Sequence, residues 1–138
     1  MAERLLYEKR QWGEFHVLYE RTFADGMSML TKELVVEAGK GISYQRHFHR
    51  DEYWTIVDGE GEIIIEGEKR TVRRGDTAVI RREQLHTIRA LKSPTDSLPS
   101  PSSGGIEGGL TIIETQVGDL LSEDDIERLN FIWEENEI

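Results

Sequence analysis

The 138-residue chain contains no cysteine. Disulfides, thiolate metal sites, iron–sulfur clusters and a cysteine nucleophile are thereby excluded together. Histidine, with four residues, and proline, with three, are scarce enough that their positions carry information. Basic residues are outnumbered: 17 Lys and Arg stand against 27 Asp and Glu, a formal charge of −10. A counterion-release grip on nucleic acid needs a basic face, and this balance argues against such a partner. No apolar run approaches the ~18 residues of a membrane span, and Met-Ala-Glu-Arg-Leu-Leu-Tyr-Glu at the N-terminus lacks an apolar h-region. The expectation is a cytoplasmic protein with no membrane partner.

What is present is an ordinary globular composition, 37% apolar, on a chain long enough for a single domain over 1–138 with one real core. Its periodicity is mostly two. Strands are expected at 14–18, 30–37, 42–48, 52–57, 62–66, 69–72, 77–80, 86–91 and 110–117. Turn signals separate them, among them Asp25-Gly26, Asp58-Gly59-Glu60-Gly61 and Arg74-Gly75-Asp76. Short strands with Gly-bearing turns predict an all-β sandwich or barrel. Gly67 marks a hairpin, since glycine supplies the positive φ that a tight turn requires.

All three prolines fall within residues 93–109, together with five Ser and four Gly. Such a stretch buries too little apolar surface to offset its ordering entropy. It reads as a flexible insertion between strands, with a lid over a pocket mouth as the functional alternative. Ser122 before Glu123-Asp124-Asp125 has the form of a capping box and predicts a short C-terminal helix over 123–129. Phe131, Ile132 and Trp133 in the tail are expected to pack on the domain or on a second subunit.

The strongest local signal is Gly41-x5-His47-x-His49-x2-Glu52-x6-Gly59. On a strand His47 and His49 share a face, about 7 Å apart along the chain. Glu52 breaks that parity and joins them only through a bulge or bend around Arg50-Asp51. A second segment, Gly75-x5-Arg81-x-Glu83-x2-His86, adds an imidazole at the start of a later strand. His47, His49, Glu52 and His86 are thus candidate ligands of one divalent transition metal: Zn, Mn, Co, Ni or Fe. His16 lies on the first expected strand without partners, and a surface or packing role is expected for it.

These two spacings resemble the double motif of the cupins, small β-barrels that hold one metal. The second motif departs from the family, with Arg81 and Glu83 at its Pro and Gly positions and Ala90 at its terminal Asn. The first has two residues, rather than three or four, between His49 and Glu52. The resemblance narrows to the C-terminal cupin domain of type II phosphomannose isomerases. Arg10-Gln11-Trp12-Gly13 looks like its Arg-Pro-Trp-Gly opening. Leu34–Gly39 followed by Ser43–Trp54 looks like its metal strand pair, and Gly118–Arg128 like its closing segment. Gln11 for Pro, Phe48 and Tyr53 for His, and Glu33 for a basic residue are the departures. The resemblance implies a double-stranded β-helix, or jelly-roll barrel, a bound divalent metal, and interconversion of mannose 6-phosphate and fructose 6-phosphate. The family often joins this domain to an N-terminal nucleotidyltransferase making GDP-mannose. The chain offers no room for that half and no Gly-rich phosphate loop, so guanylyl transfer is not expected of it.

An aldose–ketose isomerase needs a Lewis acid, a proton shuttle and a cationic phosphate site. Glu52, Glu114 and Lys32 are the candidate catalytic residues. Lys32, Gln45 and Trp12 are the candidates for binding a small-molecule sugar phosphate. Lys32 shares the parity of Leu34 and Val36, which fits a substrate contact or a snorkelling edge residue. Trp12 fits the core or a sugar-stacking plate. Arg46 and Arg50 fall on the opposite parity from His47 and are expected at solvent or an interface. Two further classes stay open: a non-catalytic cupin binding a sugar or nucleotide-sugar beside a separate nucleotidyltransferase, and a metal-dependent oxygenase. Exposed strand edges and the apolar tail predict a homodimer.

Overall fold

The alternating pattern is realised in a computed structural model that describes residues 7–91, 109–131 and 133. Its regular elements are β1 (Tyr7–Arg10), β2 (Gly13–Thr22), β3 (Ser28–Val36), β4 (Tyr44–Arg46), β5 (Arg50–Asp58) and β6 (Glu60–Ile65). They continue with β7 (Glu68–Arg73), β8 (Thr77–Ile80), β9 (His86–Ala90), β10 (Leu110–Gly118) and β11 (Glu127–Leu129). Two antiparallel sheets result, one in the order β1-β2-β3-β10-β5-β8 and one in the order β11-β4-β9-β6-β7. This is the all-β, double-stranded β-helix architecture expected from the periodicity and the cupin spacing. The inserted segment lies outside the described residues apart from Gly109. Among the described residues, no helix is long and apolar enough to cross a membrane.

The inward faces of the strands grade from apolar to polar along their length. At one level of the large sheet Leu34, Ile112 and Ile56 stand side by side. Two residues further on, the row is Lys32, Glu114 and Trp54; two further again, Leu30, Gln116, Glu52 and Ile80. The facing sheet follows the same trend, from Ile63 beside Ile88 to Ile65 beside His86. Period-two alternation puts whole rows on one face, so the polar residues of several strands meet at one depth. The apolar rows form the core, with Trp54, Ile63, Ile88, Leu110 and Ile112 almost fully buried.

The β6–β7 hairpin turns on Glu66 and Gly67, both at positive φ (49° and 83°), between the paired Ile65 and Glu68. That is the primed two-residue turn, and Gly67 occupies the position for which its residue type is suited. The expected C-terminal helix is not formed. Ser122 does accept a bond from Asp124 N–H (3.0 Å), and Asp125 N–H reaches the Ser122 carbonyl (3.1 Å), but only one turn results. Glu127, Arg128 and Leu129 pair instead with Arg46, Gln45 and Tyr44, as β11 against β4. Pairing with an existing sheet edge outweighs a helix too short to be stable alone. Phe131 and Trp133 then pack on the domain: Phe131 lies 5.0 Å from Tyr44 and 5.3 Å from Trp133, whose ring sits 4.3 Å from the Arg89 guanidinium, while Ile132 lies outside the described residues.

Candidate functional site

The decisive local event is a bend at Phe48–His49, between β4 and β5. It falls two residues earlier than parity suggested, and it changes which side chains point inward. His47, Arg50 and Glu52 are buried, while Phe48 and His49 are exposed. The bend is held by Asp125, whose two carboxylate oxygens accept the N–H groups of Phe48 and His49, each at 2.9 Å. Gly118 allows the close approach opposite: a Cβ there would stand 2.0 Å from the His49 carbonyl oxygen.

His47, Glu52 and His86 each offer a ligand atom, and these atoms lie within 4.8 Å of one another. His47 Nε2 is 3.3 Å from Glu52 Oε2, and His86 Nε2 is 3.5 Å from Glu52 Oε1. Both rings are anchored through Nδ1, His47 to the Asp125 carbonyl (2.7 Å) and His86 to the Gln84 carbonyl (2.9 Å). A carbonyl only accepts, so each Nδ1 carries a proton, and each Nε2 is the ring nitrogen turned to Glu52. Among the described residues His86 Nε2 is buried without a hydrogen-bond partner. A buried, unpartnered ring nitrogen beside a second imidazole and a carboxylate fits a divalent transition metal, with the backbone carbonyls as outer supports. His49 is not brought to this cluster. Its ring is half exposed, with Nδ1 3.5 Å from Asp119 Oδ1.

Arg50 is the residue that sequence reasoning misplaced. Its guanidinium is buried, with Nε donating to Glu52 Oε2 (2.9 Å) and Nη2 lying 3.2 Å from His47 Nε2. Arg50 and Glu52 share parity, so a bend that lies before Arg50 and turns Glu52 inward carries Arg50 with it, whereas a bend at Arg50-Asp51 would not. Arg46 is partly exposed and pairs with Glu127, as an outward residue should. His16 bonds Glu14 (3.1 Å) and stacks on Tyr7, a surface role.

One strand row deeper lies the second group. Glu114 accepts from Trp54 Nε1 at Oε1 and from Gln116 Nε2 at Oε2, both at 2.8 Å. The Lys32 ammonium lies 3.6 Å from Glu114 Oε2 and 4.4 Å from the centre of the Phe15 ring. Burial would push the Glu52 carboxyl up, but His86, Arg50 and His47 outweigh it and hold Glu52 well below the usual carboxylate range. Glu114 moves the other way, raised by burial and then by the charge of Glu52. Burial lowers His47, whereas for His86 the close negative charge of Glu52 overcomes burial and raises it. Two carboxyls on adjacent strands are thus driven apart, Glu52 towards its ionised form and Glu114 towards a higher proton affinity.

Both groups open into one cavity of about 1110 Å³. Lys32, Gln45, His47, Arg50, Glu52, His86, Glu114 and Trp12 all line it, and Trp12 also packs against the core. Gln45 turns its amide to the Ser43 carbonyl (3.1 Å) and hydroxyl (3.2 Å). Of the candidate ligand, catalytic and substrate-binding residues read from the sequence, His49 is the one that does not line this cavity.

A two-sheet β-barrel with a His/His/Glu cluster and a cationic interior has the architecture of a cupin. The solved cupin domain of Cnp3 from Schizosaccharomyces pombe matches 86% of this chain and 69% of its own, with a TM-score of 0.56 at 12% identity. A double-stranded β-helix protein from Klebsiella pneumoniae matches 84% and 83%, with a TM-score of 0.56 at 18% identity. The family model described as "Mannose-6-phosphate isomerase C-terminal" matches residues 4–131, and the chain belongs to that family. A mannose-1-phosphate guanylyltransferase of Salmonella muenchen is 33% identical over 120 residues, 87% of this chain and 21% of that protein. The alginate biosynthesis protein AlgA of Pseudomonas putida is 28% identical over 124 residues, 90% of this chain and 22% of its own length. The chain therefore spans about a fifth of the length of these curated relatives.

Proposed function

We propose that this chain is a metal-dependent sugar-phosphate isomerase that interconverts mannose 6-phosphate and fructose 6-phosphate. The observation carrying this reading is the meeting, in one cavity, of the His47/Glu52/His86 cluster with the buried Lys32–Glu114 pair. A divalent ion held by His47, Glu52 and His86 would supply Lewis-acid polarisation of the sugar carbonyl. Lys32 lines the cavity with its ammonium 3.6 Å from Glu114 Oε2 and, among the described residues, no acceptor at hydrogen-bond distance, which suits an anionic oxygen of the substrate. Glu114 is the proton carrier between C1 and C2. Its carboxyl is fixed from both sides by Trp54 and Gln116, and its raised pKa brings its proton affinity towards the operating pH. Glu52, ionised and tied to Arg50, is the ligand rather than the shuttle.

The test is a coupled assay of mannose 6-phosphate turnover with chelated and metal-reconstituted protein, His47→Ala serving as the control. Turnover that returns with the ion and is absent in His47→Ala supports the reading. Ion-loaded protein without turnover overturns it.

A second reading has its own observation. The relatives named for guanylyl transfer match this chain over about a fifth of their length, which supports a cupin that binds a sugar or nucleotide-sugar beside a separate nucleotidyltransferase. Binding of the nucleotide-sugar without isomerisation is its signature. An apolar pocket without cations would favour an oxygenase, and this cavity is lined by Lys32 and Arg50.

A further inference from the structure

His47 has a single lone pair to give. Its Nδ1–H is committed to the Asp125 carbonyl, so Nε2 is the one acceptor left, and Arg50 Nη2 lies 3.2 Å from it. The same guanidinium holds Glu52 Oε2 through Nε at 2.9 Å, and its Nη1 is 3.4 Å from the Ser122 carbonyl. A carboxylate oxygen has a second lone pair and can serve a guanidinium and a metal together; an imidazole nitrogen cannot. Of the three candidate ligand residues, only His86 presents its nitrogen unengaged.

We infer that Arg50 is a placeholder for the metal: its guanidinium and a divalent cation compete for His47 Nε2, so metal binding requires Nη2 to withdraw. The inference rests on the metal reading above and adds an energetic sign to it. Arg50 is buried beside the cluster, where screening by water is weak. A cation there satisfies Glu52 and His47 when no metal is bound, and opposes a second cation arriving between them. By this competition Arg50 stabilises the cluster without a metal and weakens the cluster that holds one. The competing expectation is that Arg50 supports the site by orienting Glu52, as outer partners of ligating carboxylates do. The two expectations differ in direction, not only in size.

The full-length chain and its Arg50→Met variant, stripped by chelation, are titrated with Co²⁺ by visible absorption and with Zn²⁺ against a chromophoric chelator. Competition predicts that Arg50→Met binds metal at least ~10-fold more tightly, the scale of losing one charge-assisted contact, with Arg50→Lys between it and the wild type. Equal binding in folded Arg50→Met overturns the inference. So does weaker binding, which for an oriented outer partner is roughly 10–100-fold. Should Arg50→Met fail to fold, the wild type suffices: the arginine Nε–H resonance of Arg50 must shift in step with one equivalent of Zn²⁺, and an unmoved resonance at saturation overturns the proposal. Absence of binding in both proteins overturns the metal reading and the inference together. Wild-type binding without a gain in the variant overturns only the inference.

Discussion

Asp125 holds His47 across 78 residues of sequence by two routes at once: its carbonyl takes the ring Nδ1–H at 2.7 Å, and its carboxylate takes the two N–H groups that follow His47. The clamp both selects the tautomer of the ring and shapes the bend that exposes His49. Asp125→Ala leaves two backbone donors without their charged acceptor, at ~1–3 kcal/mol each. The expected loss is about 2–4 kcal/mol by urea unfolding, with Asp125→Asn losing roughly half as much because one acceptor remains. A loss under ~0.5 kcal/mol would show that the bend needs no clamp.

The bend divides the histidines. Elemental analysis and Co²⁺ titration should show metal affinity falling at least ~100-fold in His47→Ala, His86→Ala and Glu52→Gln, beyond the range of outer-partner changes. His49→Ala should stay within ~3-fold of the wild type, below that range. Loss of metal in His49→Ala would restore the ligand set suggested by the sequence spacing.

Nine strand positions and the barrel class were legible because period-two alternation follows from backbone geometry alone. The two missed strands, β1 and β11, are short, outer strands made mostly of exposed residues, so no apolar alternation marks them. Of the residues lining the cavity, His47 and His86 were read from type and motif spacing, Lys32 from parity, Glu114 from type, and Glu52 from the spacing against its parity. Arg50 and Asp125 were not, since parity fails across a bend whose position is set by a residue 76 or 77 positions away. Glu83 shows the same limit differently. It takes φ of 69°, the conformation of the glycine that the cupin motif places there, and its N–H still reaches the His47 carbonyl at 2.7 Å. Tertiary bonding imposes the turn on a residue that would not choose it.

Glu114 sets a pH dependence of definite sign. Its carboxyl, raised by burial and by the charge of Glu52, holds its proton above the usual 4.5. Between that value and its folded pKa the folded chain binds more protons than the unfolded one, so this contribution to stability is lost as pH rises. Glu52 acts oppositely: its contribution is present above the usual carboxyl value and lost on acidification. Comparing Glu114→Gln with wild type cancels the Glu52 part. In metal-free protein, the stability of the variant relative to wild type should increase from pH 4 towards neutrality. A difference that is flat with pH, or falls, contradicts the assignment.

The Lys32–Glu114 pair separates binding from stability. A charge kept for folding costs stability when removed, whereas a charge kept for a ligand costs binding. Removing Lys32 alone leaves Glu114 beside Trp54 and Gln116 with its counter-charge gone, so the informative variant is Lys32→Met with Glu114→Gln. Methionine preserves the stem packed on Phe15, and the swap of a buried ion pair for neutral groups of similar volume is neutral or stabilising in typical cases. The double variant should therefore unfold at the same or a higher urea concentration than wild type. Its calorimetric affinity for mannose 6-phosphate should nevertheless fall at least ~10-fold, the scale of one charge-assisted hydrogen bond. Lost stability with unchanged affinity would make the pair a structural feature of the barrel and would move the phosphate site to the other cations of the cavity.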